Sequence, residues 1–159
     1  MIFKPYTQEE MYAIIILPND GFSIQDVLYN FKVDQIANYF KKSHFEYVHL
    51  KLPKFKLFHD IDLVETLKKF GITYIFDRNM SDFGSMTNES VYIGNLIQVA
   101  NLEVSESADS NYKYDISMTS ELIDDSYEFF VTNPFLFLVY SYTENVMLIS
   151  AILTNPSLM

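Results

Sequence analysis

The residue types that most often carry chemistry are sparse in this chain and are not spaced for a known kind of site. The three histidines, His44, His49 and His59, lack metal-site spacing, and the 4 glycines form no phosphate-binding loop. With no cysteines, the chain has no disulfide framework, cysteine-based zinc site or cysteine nucleophile. A serine triad assembles in space, but the nucleophile motif GxSxG is missing. We therefore predict that the protein is not an enzyme and uses no metal or other cofactor.

Two further sets of side chains could bind something, and each also has an ordinary structural interpretation. The acidic pairs Glu9–Glu10 and Asp124–Asp125 could bind a cation, but isolated acidic pairs are usually solvated, and we assign them no role. Three tyrosines could form a recognition patch, since Tyr is favoured at interfaces, or could pack a loop onto its own sheet. These tyrosines are Tyr112, Tyr114 and Tyr127.

Composition limits the class of protein and its partners. The chain has 159 residues, 49% of them hydrophobic and 16% aromatic, which is enough for one domain with a sizeable core. Its formal charge of -10 argues against a nucleic acid partner, because phosphate binding needs clustered Lys and Arg. No apolar run reaches the roughly 18 residues of a membrane span. Residues 1–12 do not resemble a signal peptide, so we expect a cytoplasmic protein with no membrane partner.

The pattern of apolar residues directs attention to residues 91–137. Residues 91–105 alternate loosely and are rich in apolar and β-branched side chains, which predicts a long strand with at least one buried face. Residues 107–126 are mostly polar, and residues 133–137, with the sequence NPFLF, predict a return strand. Because structureless connections above about 12–15 residues are usually functional or disordered, we predict that the function lies in the loop of residues 107–126.

The elements around this loop predict an α+β fold in a single domain, residues 1–159, with about six mostly antiparallel strands and three helices. Besides the strands already described, residues 11–17, 45–52 and 146–153 have strand patterns, and residues 134–153 predict a hairpin that needs cover on both faces. Ser23 could cap a helix over residues 24–31, and a second helix could begin at Asp34. The best helical pattern covers residues 60–70 and ends at Gly71.

Seven segments, in the same order, resemble the C-terminal portion of the serpins, the serine-protease-inhibitor superfamily. They are residues 14–20 (IIILPND), 50–56 (LKLPKFK), 63–76, 81–86 (SDFGSM), 102–106 (LEVSE), 133–137 (NPFLF) and 146–156. The resemblance covers nearly the whole chain, and the poxviral serpins are the subgroup that we would examine first. It implies a truncated serpin-like α+β domain, because a complete serpin domain is more than twice this length.

The resemblance also implies a site and a partner. Residues 107–126 would correspond to the reactive-centre loop, and the partner would be a protein such as a protease. The hinge would comprise Glu106, Ser107, Ala108 and Asp109, and a protease would attack near Leu122 and Ile123. In the inhibitory mechanism of serpins, the cleaved loop inserts into the large sheet as a new central strand and releases stored strain.

The residues after Glu106 oppose such an insertion. In the register set by Glu106, the positions that would be buried are Asp109, Asn111, Lys113 and Asp115. Burying even one unpaired charge costs several kcal/mol. The alternative register buries Tyr112 and Tyr114, which are too large for a site shaped for alanine. Gln98 and Ala151 also replace residues, a histidine and a glycine, that the family often has at these positions.

Three hypotheses for the function follow, in this order of preference. The first is a non-inhibitory binding protein of serpin descent that has lost loop insertion. The second is a protease inhibitor, of the inserting kind or one that only presents Leu122–Ile123 as a substrate-like loop. The third is a decayed serpin fragment without activity. In each case a partial domain leaves strand edges uncovered, so we expect homo-oligomers through exposed strand edges.

Overall fold

The computed structural model describes residues 1–6, 11–105 and 127–155. These residues belong to two compact units, one with residues 1–53 and 107–159 and the other with residues 54–106. In chain order the regular elements are β1 (Ile2–Pro5), β2 (Met11–Ile16), α1 (Ile24–Asn30), α2 (Ile36–Lys42), β3 (Val48–Lys51), β4 (Phe55–Asp62), α3 (Val64–Lys69), β5 (Ile97–Val104), β6 (Tyr127–Phe130), β7 (Phe135–Ser141) and β8 (Val146–Leu153). The α+β class, with mostly antiparallel pairing and three helices, is confirmed. The single domain over residues 1–159 stays a prediction.

The first unit contains a four-stranded antiparallel sheet in the order β1-β2-β7-β8. Strand β7 lies between two neighbours and is buried at every residue except Val139, as the prediction of a strand covered on both faces requires. Strand β8 lies at the edge and alternates between exposed and half-buried residues up to Leu153. The cover predicted for both faces of the hairpin therefore applies to β7 but not to β8.

Helices α1 and α2 cover one face of this sheet. Buried residues from the two helices and from β2 and β7 form one apolar cluster: Ile14, Ile16, Ile24, Ile36, Leu136, Leu138 and Tyr140. Helix α1 begins at the predicted cap, where Ser23 Oγ accepts a hydrogen bond from Asp26 N and the Asp26 carboxylate accepts one from Ser23 N at 2.8 Å. This reciprocal capping box satisfies amides that the first turn leaves unpaired.

Side-chain hydrogen bonds stabilise the hairpin turn between β7 and β8, and in one of them Glu144 N donates to Ser141 Oγ at 3.3 Å. Asn145 adopts φ +53°, a left-handed conformation that asparagine tolerates better than most residues. Its Oδ1 accepts a hydrogen bond from the hydroxyl of Tyr140. Burial, and then the neighbouring Tyr142, raise the pKa of Tyr140 above its ordinary value, so this hydroxyl keeps the proton that it donates.

The second unit corrects two boundaries that the sequence pattern predicted. Strands β4 and β5 pair antiparallel from Phe55 opposite Val104 to Asp62 opposite Ile97. Residues 60–62 therefore lie in β4, and the prediction of a helix over residues 60–70 is wrong there; helix α3 covers only Val64–Lys69. The spacing of apolar residues was helical, but strand pairing with β5 outweighed that local preference. The long strand predicted for residues 91–105 is regular only over Ile97–Val104.

Helix α3 ends at the predicted glycine. Gly71 has φ +86°, and its amide donates to Lys68 O at 2.9 Å. The next amide, that of Ile72, donates to Leu67 O at 3.0 Å. These two hydrogen bonds form a Schellman motif, which needs a left-handed residue after the helix and so favours glycine.

Candidate functional site

The site residues that the sequence predicts lie outside the described part of the chain. These are the hinge residues Glu106, Ser107, Ala108 and Asp109 and the scissile residues Leu122 and Ile123. The acidic pairs Glu9–Glu10 and Asp124–Asp125 and the tyrosines Tyr112 and Tyr114 lie outside it as well. Their roles stay predictions. The structure describes the two strands that the loop joins, β5 before it and β6 after it.

Strand β5 enters the loop from a regular antiparallel ladder with β4. Eight consecutive residue pairs join the two strands without a bulge. Near the loop, Lys56 Nζ and a Glu103 carboxylate oxygen are 3.3 Å apart, although both side chains are largely exposed. An exposed ion pair contributes about 0–1 kcal/mol. The ladder and the side chains on its half-buried face, Leu102 and Val104, are therefore the main determinants of the position of β5 up to Val104.

Strand β6 receives the chain after the loop and belongs to the only parallel pair of strands in the described ranges. It lies beside β3, with Val48 opposite Tyr127 and Lys51 opposite Phe130. Backbone hydrogen bonds extend the pairing at both ends: Tyr127 N donates to Tyr47 O at 3.0 Å, and Val131 N donates to Lys51 O at 2.9 Å. The loop therefore ends at a fixed backbone position.

Side chains hold this short parallel pair together. Phe129 is 8% exposed. On the other face, Phe130 makes an edge contact with His49 at 5.6 Å between ring centroids and receives Lys51 Nζ at 4.1 Å from its centroid. A cation over an aromatic face contributes about 0.5–1 kcal/mol at an exposed site. Phe129 and Phe130 together anchor the C-terminal end of the loop.

The sequence analysis did not predict strand β6, which anchors the end of the loop, or the exposed face of strand β5. It assigned no strand to residues 127–130 and treated Tyr127 as a recognition or packing residue; the structure places Tyr127 at the start of β6, 64% exposed. On β5, Ile97 and Val99 are more than half exposed. Ile97 and Val99 lie on either side of Gln98 in a strand pattern, but this pattern could not tell which face of the strand is buried.

All three histidines lie in the described ranges, and each of them is exposed. His44 Nε2 lies 3.0 Å from a Glu46 carboxylate oxygen on an exposed surface, and His49 packs against Phe130. Within residues 1–6, 11–105 and 127–155, no group of three or more His, Asp or Glu side chains could hold a metal ion. No helix in these same ranges is long and apolar enough to cross a membrane.

Comparison with known proteins gives a consistent result. The family model for serpin (serine protease inhibitor) matches residues 1–156. The chain is 26% identical over 156 residues to serine protease inhibitor 88Ea of Drosophila melanogaster, covering 96% of this chain and 36% of that protein. It is 28% identical over 155 residues to serpin I2 of Homo sapiens, covering 95% of this chain and 38% of that protein.

A solved structure agrees in fold. The serpin from the trematode Schistosoma haematobium superposes with a TM-score of 0.74 at 30% sequence identity, covering 92% of this chain and 39% of that one. The chain thus spans less than two fifths of the length of these relatives. A placement within the poxviral subgroup stays a prediction. By its family match over residues 1–156 and by its fold, this chain belongs to the serpin family and corresponds to a truncated portion of the serpin fold.

Proposed function

We propose that this chain is a non-inhibitory serpin-type protein that binds a protein partner through residues 107–126 and does not insert that loop. The observation that carries the proposal is the sequence of residues 107–115. If these residues inserted as a strand, one register would bury the charged residues Asp109, Lys113 and Asp115, and the other would bury Tyr112 and Tyr114. Either register buries side chains that a strand inside a sheet cannot accommodate at low cost.

The free-energy cost of burying these side chains can be compared with the gain from the hydrogen bonds of an inserted strand. The register set by Glu106 would bury three charged side chains, Asp109, Lys113 and Asp115. At several kcal/mol for each unpaired buried charge, the cost is comparable to a whole domain's stability of about 5–15 kcal/mol. Hydrogen bonds along one inserted strand contribute only about 0.5–1.5 kcal/mol each. Insertion is therefore opposed by the sequence of the loop itself.

The described strands support the same conclusion. An inserted strand becomes central only if it has a neighbour on each side. In the ranges that the structure describes, β5 pairs with β4, and the sheet of these two strands contains no third strand. The two strands described in this sheet thus supply a neighbour for an inserted loop strand on one side only.

A second function is favoured by the family itself. The matching family model is named for serine protease inhibitors, and 88Ea carries that name. A chain that only presents Leu122–Ile123 as a substrate-like segment could inhibit a protease without insertion. In both functions the chain performs no catalysis of its own, and the partner is a protein whose cleft accepts an extended loop.

Incubation with a panel of active serine and cysteine proteases, analysed on denaturing gels, separates these functions. We expect cleavage within residues 107–126 without a covalent, SDS-stable adduct. We also expect the same melting temperature before and after cleavage, because no strand is added to a sheet. An adduct, or a large rise in melting temperature on cleavage, would overturn the proposal. Cleavage throughout β2 and β7 would instead indicate a decayed fragment that does not fold.

Binding is then tested with catalytically inactive forms of the same proteases. The proposal expects at least one to bind the wild-type chain and to bind the double variant Leu122→Asp, Ile123→Asp more weakly. The matched control changes an exposed pair elsewhere, Leu148→Asp with Ile152→Asp in β8, and should leave binding unchanged. If both double variants lose binding equally, residues 107–126 are not the binding element.

A further inference from the structure

The connection between β2 and α1 contains an Asp-Gly step, Asp20–Gly21. Gly21 is the only glycine in the sequence that follows an aspartate or an asparagine. In such a step the main-chain nitrogen of the glycine can reach the side-chain carboxyl carbon of the aspartate through a five-membered ring. Glycine favours this approach because it has no side chain and few restrictions on its backbone.

Residues 19–22 form a β-turn. Phe22 N donates a hydrogen bond to Asn19 O at 3.0 Å, and Gly21, the third residue of the turn, has φ +84°. A positive φ at this position alone is typical of a type II turn. Residues 19–23 are all exposed. The turn is therefore held by its own hydrogen bond and not by packing among the described residues.

The two groups that would react are free of other partners. Within the described ranges, the Gly21 amide donates no hydrogen bond and the Asp20 carboxylate accepts none. A Cβ placed on Gly21 would meet no atom within 4 Å, so the space beside this residue is open.

The other aspartates in the described ranges are held more firmly. Asp60 lies inside the ladder of β4 and β5. The rest accept hydrogen bonds through their side chains: Asp26, Asp34, Asp62, Asp77 and Asp82. Asp20 thus combines a following glycine, an exposed turn and an unengaged carboxylate.

We propose that Asp20 is a site of covalent self-modification that converts it to isoaspartate through a succinimide. Gly21 N attacks the carbon of the protonated Asp20 side-chain carboxyl. A C–N bond forms, a C–O bond breaks, and the departing hydroxyl leaves with the amide proton as water. Water then adds to one of the two ring carbonyls. Opening at the main-chain carbonyl gives isoaspartate, opening at the side-chain carbonyl restores aspartate, and neither product has gained or lost an atom overall.

The product changes the path of the chain just before α1. In isoaspartate the main chain passes through the β-carbon of residue 20, which adds one atom between Asn19 and Phe22 and leaves the former main-chain carboxyl as a free side group. The hydrogen bond from Phe22 N to Asn19 O then no longer closes a ring of the β-turn size. The capping box of α1 involves only Ser23 and Asp26, so we expect the helix to persist. The modification therefore marks the age of a chain that stays folded.

The fold should slow this reaction only slightly at residue 20. Ring closure rotates the Asp20–Gly21 peptide out of the turn, so the hydrogen bond between Phe22 and Asn19 must open. Opening one exposed hydrogen bond slows the reaction by at most about tenfold relative to the unfolded chain. At Asp26 the capping hydrogen bonds and the first turn of α1 must open as well.

Timed incubation of the full chain at neutral pH and physiological temperature tests the proposal. Isoaspartate is located by digestion and mass spectrometry with electron-based fragmentation, which distinguishes it from aspartate, and a parallel sample in guanidinium chloride gives the unfolded reference. In the folded chain we expect isoaspartate at residue 20 to form within about tenfold of the unfolded rate. We also expect it to form well ahead of isoaspartate at Asp26 and Asp62.

Two variants of residue 20 test the chemistry. Asp20→Glu keeps the charge but would need a six-membered ring, so the modification at this position should disappear. Asp20→Asn should accelerate it, because ring closure then releases ammonia, a better leaving group. The matched control is Asp34→Glu, another exposed aspartate, which should leave the rate at residue 20 unchanged.

A folded chain that reacts at residue 20 more than about tenfold slower than the unfolded chain overturns the proposal, because the turn would then hold the reacting groups apart. Equal accumulation of isoaspartate at Asp26 and Asp20 also overturns it, as does a signal at residue 20 that survives Asp20→Glu. None of these outcomes involves residues 107–126, so they leave the proposed function unaffected.

Discussion

Replacing Phe129 by alanine should release the strand that fixes the C-terminal end of the loop. Phe129 is 8% exposed and lies in the middle of β6, a strand of four residues in a two-stranded parallel sheet. Such a pair has little stability of its own, because its backbone hydrogen bonds contribute weakly and parallel pairing is slightly less stable than antiparallel pairing. Side-chain burial must therefore supply most of the free energy that keeps β6 in place.

The expected size of the effect comes from that burial. Phe→Ala substitutions at buried sites cost about 3–5 kcal/mol, and the lower value suits a residue that keeps a small exposed fraction. A loss of about 3 kcal/mol corresponds to roughly a hundredfold increase in the population of the detached strand. Because the amides of Tyr127 and Val131 donate to Tyr47 O and Lys51 O across this pair, their exchange with solvent reports the opening.

Hydrogen exchange followed by NMR is the assay, and Phe58→Ala is the control because Phe58 is 69% exposed on another sheet. We expect protection of the Tyr127 and Val131 amides to fall by about two orders of magnitude in Phe129→Ala and to stay unchanged in Phe58→Ala. The inactive protease of the binding assay should also bind Phe129→Ala more weakly. The reasoning is refuted if the two amides keep their protection, or if Phe58→Ala exposes them to the same extent.

Two further predictions concern local structure. Gly71→Ala should lower the free energy of unfolding by about 1–2 kcal/mol, because φ is +86° at this residue. The control, Gly94→Ala, should be neutral or slightly stabilising, because Gly94 has no positive φ and a new Cβ would have no atom within 4 Å. Equal urea midpoints for the two variants would contradict this prediction. The Asp26 carboxyl should titrate below its ordinary pKa of 3.8, because Ser23 Oγ and N donate hydrogen bonds to it. The capping box should therefore stabilise α1 at neutral pH and lose this contribution as pH falls through the lowered pKa, and Asp26→Asn should remove that dependence; an NMR titration at or above 3.8 would contradict it.

The sequence determined the features that depend on neighbouring residues. The Ser23 cap, the Gly71 stop and the apolar run of β7 were predictable because each follows from local hydrogen bonding or from a run of residues that only a buried strand accommodates. The order of seven serpin-like segments was likewise present in the sequence. The charged residues after Glu106 were also visible in the sequence. Their burial is costly in any sheet, so the argument against insertion does not depend on where the strand would insert.

Tertiary structure decided the features that depend on residues distant in the chain. Residues 60–62 are strand because β5 pairs with them, although their apolar spacing favoured a helix. Strand β6, with only four residues, is a strand because β3 pairs with it, and Phe129 in its middle is buried. The exposure of Ile97 and Val99 could not be predicted from the sequence either. Alternation defines two faces of a strand, but only packing determines which face is exposed to solvent.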